Sequence, residues 1–323
     1  MADQNRGPAP IALFAYKRLD HLRATVQSLQ RNPEAAQSRL FVFSDGAKSQ
    51  ADAAGVEAVR EYVAGLGGFA AVKVISSPRN KGLSASIIGG VSAILQEFDR
   101  VIVVEDDLVV SEHFLAYMND GLACYSESEN VASIHGYVYP LDCAMPETFF
   151  LRGADCWGWA TWRRAWAHMN PDGQTLLKHL IERKLARAFD HEGTASFTQM
   201  LKDQIAGRND SWAVRWHASC FLDGMFTLYP GRSLVSNIGN DGSGTHSEAN
   251  PERRFDVEVS SDRVAVTPIP VGETRQSRQA IAEYFRRTNR TSPYRSARRR
   301  AGKILRAIPY VRRWMTSPRD RKS

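Results

Sequence analysis

The stretch Val101-Ile102-Val103-Val104-Glu105-Asp106-Asp107-Leu108 constrains this chain more than any other. Four apolar residues in a row, mostly β-branched, read as a strand buried on both faces. Three carboxylates follow at once. Adjacent anions repel each other and resist burial, so they belong at a strand end, in a cleft, and sit more easily with a cation between them. Hard oxygen ligands at an open site suit Mg²⁺ or Mn²⁺ carrying a substrate phosphate. The plain alternative is a strand that ends in a polar turn.

The residues before this stretch repeat one pattern. Residues 9–16 read as a first strand, ending in Lys17-Arg18, with a helix after it carrying Leu19, Leu22, Val26 and Leu29 at helical spacing. Leu40–Phe43 is a second strand, ending in Ser44-Asp45-Gly46, and residues 51–64 return as a helix. Val72–Ile75 is a third strand, and Asn80-Lys81-Gly82 leads into a helix over about 84–97. The acidic strand is the fourth, and Ser111 caps the helix that follows, which runs through Tyr125. Such alternation predicts a parallel sheet with helices on both faces. Ligands of these sheets bind beyond the carboxyl ends of the strands. Four polar clusters fall at those ends, and that recurrence sets the triplet apart from a chance polar turn.

After Tyr125 the pattern changes. Residues 131–139 and 148–151 read as strands that an antiparallel pairing would suit, and 174–206 as helical and polar. Between them, Cys156 to Trp166 holds four Trp; such residues mostly pack in a core, but this density, broken by Gly158, also suits a platform for a sugar or a base. Asn209-Asp210-Ser211-Trp212 opens a helix running to about Asp223, with Asp210 or Ser211 near its cap. Thr227–Tyr229 reads as a short strand, and residues 237–246 form a glycine-rich polar loop ending in His246.

The net charge of +7 is unevenly spread. From Arg275 to Ser323, sixteen Lys or Arg face only Glu283 and Asp320, a net of +14 that leaves −7 for the rest. An acidic body with a basic tail argues against a uniformly basic nucleic-acid binder. We therefore divide the chain into a body, residues 1–272, and a basic, partly amphipathic tail, residues 273–323. The tail suits an anionic membrane surface, with a disordered solvated tail as the alternative. No run of about 18 apolar residues is present and the first residues lack an apolar core, so a cytoplasmic protein is expected, at most peripheral to the membrane. Cys124, Cys143, Cys156 and Cys220 lack CxxC spacing and read as reduced thiols.

With these residues in order, the chain resembles the GT-A-fold nucleotide-sugar glycosyltransferases, in particular the animal N-acetylglucosaminyltransferase I type. The likeness covers roughly residues 9–245. It rests on the cationic pair after the first strand, the Ser-Asp turn, the Val-Val-Glu-Asp-Asp-Leu segment, a Gly-Trp step and an Asp-Ser-Trp segment. It implies an α/β, Rossmann-like, mostly parallel sheet with flanking helices and a small antiparallel or helical acceptor-side region. It implies transfer from a UDP-sugar to a glycan or lipid-linked acceptor, with inversion, and Mn²⁺ or Mg²⁺ as cofactor. Carried onto matching positions, Arg18 serves the nucleotide or its phosphates and Asp45 the uracil. Asp107 holds the metal, while Glu105 and Asp106 contact ribose, sugar or metal-bound water. Gly158 and Trp159 help form the sugar pocket, and Asp210 is the general base. Asn80-Lys81-Gly82 is similar to the Asn-x-Gly step near the nucleotide in many GT-A enzymes, which makes Lys81 a candidate phosphate contact, and the place of His246 after Gly-Ser-Gly-Thr makes it a candidate second metal or pyrophosphate ligand. The chain departs from that type in its excess of Trp over 157–166 and in Ser211, where the type has a second Asp.

Plainer roles stand beside these. Asp210 also reads as a helix cap, Asp45-Gly46 as a turn, and Arg18, Lys81 and His246 as solvated side chains. Two other function classes fit the sequence less well. A nucleotidyltransferase that makes nucleotide-sugars favours a glycine-rich loop after the first strand, where this chain has Ala15-Tyr16-Lys17-Arg18. A non-catalytic nucleotide- or carbohydrate-binding protein has no need of the triplet together with a separate base.

Overall fold

A computed structural model of the chain describes residues 7–239 and 254–291. The first half alternates as its sequence pattern requires: β1 (Ile11–Ala15), α1 (Leu19–Gln30), β2 (Arg39–Ser44), α2 (Ala53–Ala64), β3 (Ala71–Ser76), α3 (Leu83–Glu97) and β4 (Arg100–Glu105). Then come β5 (Leu108–Val110), α4 (Phe114–Cys124), β6 (Val131–His135), β7 (Thr148–Arg152), β8 (Trp159–Trp162) and α5 (Arg163–Trp166). The helical stretch α6 (Gly173–Glu182), α7 (Ala186–Phe189), α8 (Phe197–Ile205) and α9 (Trp212–Leu222) follows. Last are β9 (Phe226–Pro230), β10 (Val235–Asn237) and α10 (Arg275–Thr291).

Eight strands form one sheet in the order β3-β2-β1-β4-β8-β6-β9-β7, and β5 pairs with β10 in a small ladder. β1 to β4, β6 and β9 share one direction, while β8 and β7 run against it. This is the mostly parallel, helix-flanked α/β sheet with an antiparallel addition that the resemblance implies. Every residue of β1 is buried, as are Val101 to Val104 of β4. Strands at the centre of a helix-covered sheet have no wet face, which is why these two read as unbroken apolar runs. α1 turns Leu22, Val26 and Leu29 inward, one face of a 3.6-residue period.

Three features differ from the sequence reading. The strand expected over 131–139 stops at His135. The helical stretch expected over 174–206 breaks into α6, α7 and α8 where Lys184, His191 and Glu192 take positive φ. Most consequentially, Trp159–Trp162 is a strand in the middle of the sheet, between β4 and β6. α10 packs on β7, burying Ile281, Tyr284 and Phe285 beside Phe149 and Leu151. Among the described residues, no helix is long and apolar enough to cross a membrane.

Candidate active site at the carboxyl edge of the sheet

Parallel pairing of β1 with both β2 and β4 places three polar strand ends on one edge. The Arg18 side chain, just past β1, reaches the end of β4. Its Nη2 lies 2.6 Å from Asp106 Oδ1 and 2.7 Å from Asp107 Oδ2. Asp106 is 5% exposed and fully engaged. Its Oδ2 accepts from the Tyr16 amide at 3.1 Å and its carbonyl accepts from the Thr25 hydroxyl at 2.9 Å. Asp106 therefore ties the β1–α1 turn to β4.

Asp107 is held from the other side. Its carbonyl accepts from the Ile238 amide at 2.8 Å, at the end of the β5–β10 ladder. That ladder brings Gly239 onto the carboxylate. A Cβ at position 239 would overlap Asp107 Oδ2 and come 2.8 Å from Arg18 Nη1. A side chain at position 239 would have to push aside the Asp107 carboxylate or the Arg18 guanidinium. Gly239 was legible only as one of several glycines in a polar loop. His246, further along that loop, lies outside the described residues.

The electrostatics show an unbalanced site. Burial works against the Arg18 charge, but the two carboxylates outweigh it and raise its pKa. Burial, then Asp107 and Asp106, pushes Glu105 well above the usual carboxylate range despite Arg18. Burial also raises Asp106, with Arg18 opposing. Desolvation and like charge both disfavour the ionised forms. Arg18 Nη1 is buried and has no hydrogen-bond partner among the described residues. Among the described residues, no group of three or more His, Cys, Asp or Glu is arranged to hold a metal. The donor set nevertheless fits a divalent cation that brings its own phosphate ligands. With all three carboxylates ionised, one guanidinium leaves two negative charges uncompensated, and Asp107 offers hard oxygen at the rim.

A second cluster lies at the ends of β2 and β3. Asp45 is 8% exposed, and its carboxylate accepts from the amides of Gly46, Lys81 and Gly82 at 2.8 to 3.0 Å. Asn80 Nδ2 donates back to the Gly46 carbonyl at 2.8 Å. Asp45 thus clamps the β3–α3 loop. The Lys81 side chain is exposed beside this clamp. Gly82 takes φ +80°, and a Cβ there would come 3.4 Å from Asp210 Oδ2. The structure therefore brings Asp210 to the Asp45 loop across more than a hundred residues of chain.

Asp210 is not the cap of α9. Ser211 is, its Oγ accepting from the Val214 amide at 3.2 Å. Asp210 is left with its side chain 56% exposed and Arg215 Nη2 3.9 Å away. Arg215 is itself anchored on Ser84 of α3, on Pro171 and on Ser211. Asp210 is thus an exposed carboxylate that does not cap its helix, beside Arg215 and the Asp45 loop.

The tryptophans resolve differently from expectation. Trp159 is 0% exposed, and its ring meets Trp212 at 5.4 Å, Trp166 at 5.7 Å and Trp216 at 6.1 Å. It cannot line a sugar pocket, because β8 turns it into the core that joins the sheet to α9. Gly158 packs inward too, where a Cβ would come 2.8 Å from Val235. Trp157 is the partly exposed member, with its amide donating to His135 Nε2 at 3.0 Å. Next to it, burial pushes the Cys156 thiol well up, with Asp155, Glu105 and Asp107 adding to the shift. Asp155, whose carboxylate accepts from the Tyr139 hydroxyl at 2.9 Å, was missed because nothing in its local sequence marks it.

No family model matches the chain, and no curated protein matches it in sequence. Among solved structures, similar ones include a mannosyltransferase from Pyrobaculum calidifontis in complex with GDP-Man and Mn²⁺. It is 13% identical with a TM-score of 0.31, over 42% of this chain and 37% of that one. TarS of S. aureus is 15% identical with a TM-score of 0.29, over 45% and 24%. The 4-diphosphocytidyl-2C-methyl-D-erythritol synthase of Anaerococcus prevotii is 10% identical with a TM-score of 0.31, over 55% and 77%. This chain thus spans well under half the length of the first two. Likenesses this distant do not bear on substrate or mechanism.

Proposed function

We propose that the chain is a glycosyltransferase that moves a sugar from a nucleotide donor to a glycan or lipid-linked acceptor. The observation that carries this is the Arg18–Asp106–Asp107 constellation at the carboxyl edge, with a separate exposed carboxylate, Asp210, on the same edge. The uridine part of the reading, and the inverting course, come from the resemblance.

Each residue then has a task. Arg18 offers its unpartnered Nη1 to a diphosphate oxygen while Nη2 holds the carboxylates in place. Asp107 would hold Mn²⁺ or Mg²⁺, with Glu105 beside it. When bound, the metal neutralises charge growing on the diphosphate. The bond from the sugar's anomeric carbon to the diphosphate breaks as an acceptor hydroxyl oxygen bonds to that carbon. Asp210 takes the hydroxyl proton, a contribution of about 10²–10⁴-fold in rate. The Asp45 clamp fixes the β3–α3 loop beneath this carboxylate.

A panel of nucleotide-sugars tested for thermal stabilisation, with and without Mn²⁺, checks the reading. A ligand that binds only the folded state at about a hundred times its Kd adds about 2.7 kcal/mol of stability. Stabilisation by a UDP-sugar that depends on Mn²⁺ is expected. No stabilisation by any nucleotide-sugar would refute the proposal.

A further inference from the structure

We propose that Arg215 is a positioning residue for the transfer: its guanidinium holds the Asp210 carboxylate against the N-terminus of α3, so that the loop clamped by Asp45 also orients the proton acceptor. This deepens the glycosyltransferase reading and rests on it for the role of Asp210.

The guanidinium is fixed by neutral groups before it meets Asp210. Arg215 is 8% exposed. Its Nε donates to the Ser211 carbonyl at 3.2 Å and its Nη1 to the Pro171 carbonyl at 3.2 Å, while Nη2 donates to the Ser84 hydroxyl. These acceptors stand at the start of α9, just before α6 and in the first turn of α3. A planar fork held at three corners presents its charge in one direction. The carboxylate in that direction is Asp210, with Oδ1 3.9 Å from Nη2. Burial lowers the pKa of Arg215, and Asp210 opposes that shift.

Both carboxylate oxygens are addressed. Oδ1 faces Arg215, and Oδ2 faces Gly82, 3.4 Å from where a Cβ would stand. Gly82 is the N-cap of α3 and has no side chain to offer that helix. The dipole of a helix N-terminus favours an anion placed there. The Asp210 side chain is still 56% exposed, which leaves room for an acceptor hydroxyl.

Hydrogen bonds continue from this point to the acidic site. The Lys81 and Gly82 amides donate to the Asp45 carboxylate at 2.9 to 3.0 Å. The Asp45 amide donates to the Ala15 carbonyl at 3.2 Å. The next amide along the chain, that of Tyr16, donates to Asp106 Oδ2 at 3.1 Å. Asp210 and the Arg18–Asp106 pair thus sit at the two ends of one frame, and Arg215 is what fastens Asp210 to it.

The alternative is that Arg215 merely staples α9 to α3. A double-variant cycle separates the two, with UDP release from UDP-glucose and UDP-N-acetylglucosamine, water as acceptor and Mn²⁺ present, as the rate. Asp210→Asn should lower kcat about a hundredfold. Arg215→Met should lower kcat at least about tenfold with UDP affinity within about threefold of wild type, and Arg215→Lys, which keeps the charge, should recover part of the loss. Since Arg215 acts through Asp210, the double variant should be no slower than Asp210→Asn alone. A staple would slow both backgrounds by the same factor, and that result would overturn the proposal. Crystals of Arg215→Met, or of Arg215→Lys should the first not fold, give a readout without activity: the Asp210 carboxylate should turn away from Gly82. An unmoved carboxylate would overturn the proposal as well. If the carboxylate turns but wild type releases no UDP from either donor, the transferase reading falls and the hold of Arg215 on Asp210 stands. If Asp210→Asn is slow and Arg215→Met is not, the proposal falls alone.

Discussion

Gly239 is seated directly on the Asp107 carboxylate, so that a single methyl group at position 239 would overlap Asp107 Oδ2 and crowd Arg18 Nη1. The contact exists because β10 pairs with β5, the strand that begins at Leu108. A side chain here must displace either the carboxylate or the guanidinium. Overpacking of this kind costs about 1–3 kcal/mol. Gly239→Ala should therefore weaken nucleotide-diphosphate binding at least about tenfold, measured by calorimetry. Gly67→Ala, where a Cβ meets nothing within 4 Å, should leave binding unchanged.

Asp45 tests whether a strand-end carboxylate reads the base or holds the loop. Hydrogen bonds to a charged group contribute about 1.5–3 kcal/mol each. Asp45→Ala should accelerate hydrogen exchange at the Lys81 and Gly82 amides and weaken donor binding, with Asp45→Asn intermediate. Unchanged exchange with relaxed discrimination between uridine and other nucleotides would assign Asp45 to the base instead.

Glu105 is crowded by two carboxylates and has one guanidinium near it, and burial compounds the cost of its charge. Removing that charge relieves like-charge repulsion at a desolvated position. In chelator, Glu105→Gln should raise the melting temperature, by about 1.5 °C in a chain of this length if the gain is about 1 kcal/mol. A lower melting temperature would show that Glu105 is stabilising in the metal-free fold.

Three histidines set an acid limit. Burial holds His135 and His217 below the usual imidazole range, and burial together with His217 lowers His191 to about 3. In the unfolded chain each takes a proton at about pH 6.5. Below that pH the unfolded state binds more protons than the native state, so stability falls as pH drops from about 6.5 toward 3 and is fully present above. Urea melts from pH 8 to pH 4 should show this slope, and His191→Asn should flatten it. The slope is the readout, since losing the ring that stacks on Phe285 lowers stability at every pH.

The β1-to-β4 half was readable because its strands are unbroken apolar runs and its helices have a clean period, and both signals are local. The polar strand ends were located for the same reason. Their roles were not readable, because those depend on partners far away in sequence. Asp106 looked like its neighbours until Tyr16 and Arg18 were found to occupy it. The sequence left the α9 cap open between Asp210 and Ser211, and the fold gives it to Ser211. Trp159 misled because a buried central strand and an exposed aromatic platform share the same residue types. The register with β4 and β6 decides between them.

The central claim is that Asp107 anchors a cation-dependent nucleotide-sugar transfer. The most direct measurement is release of UDP from a UDP-sugar by wild type and Asp107→Ala, each with Mn²⁺ and with excess chelator, with folding verified by circular dichroism. Release by wild type should require Mn²⁺, and Asp107→Ala should fall at least about a hundredfold, equivalent to about 2.7 kcal/mol. Wild-type rates from folded Asp107→Ala in chelator would contradict it.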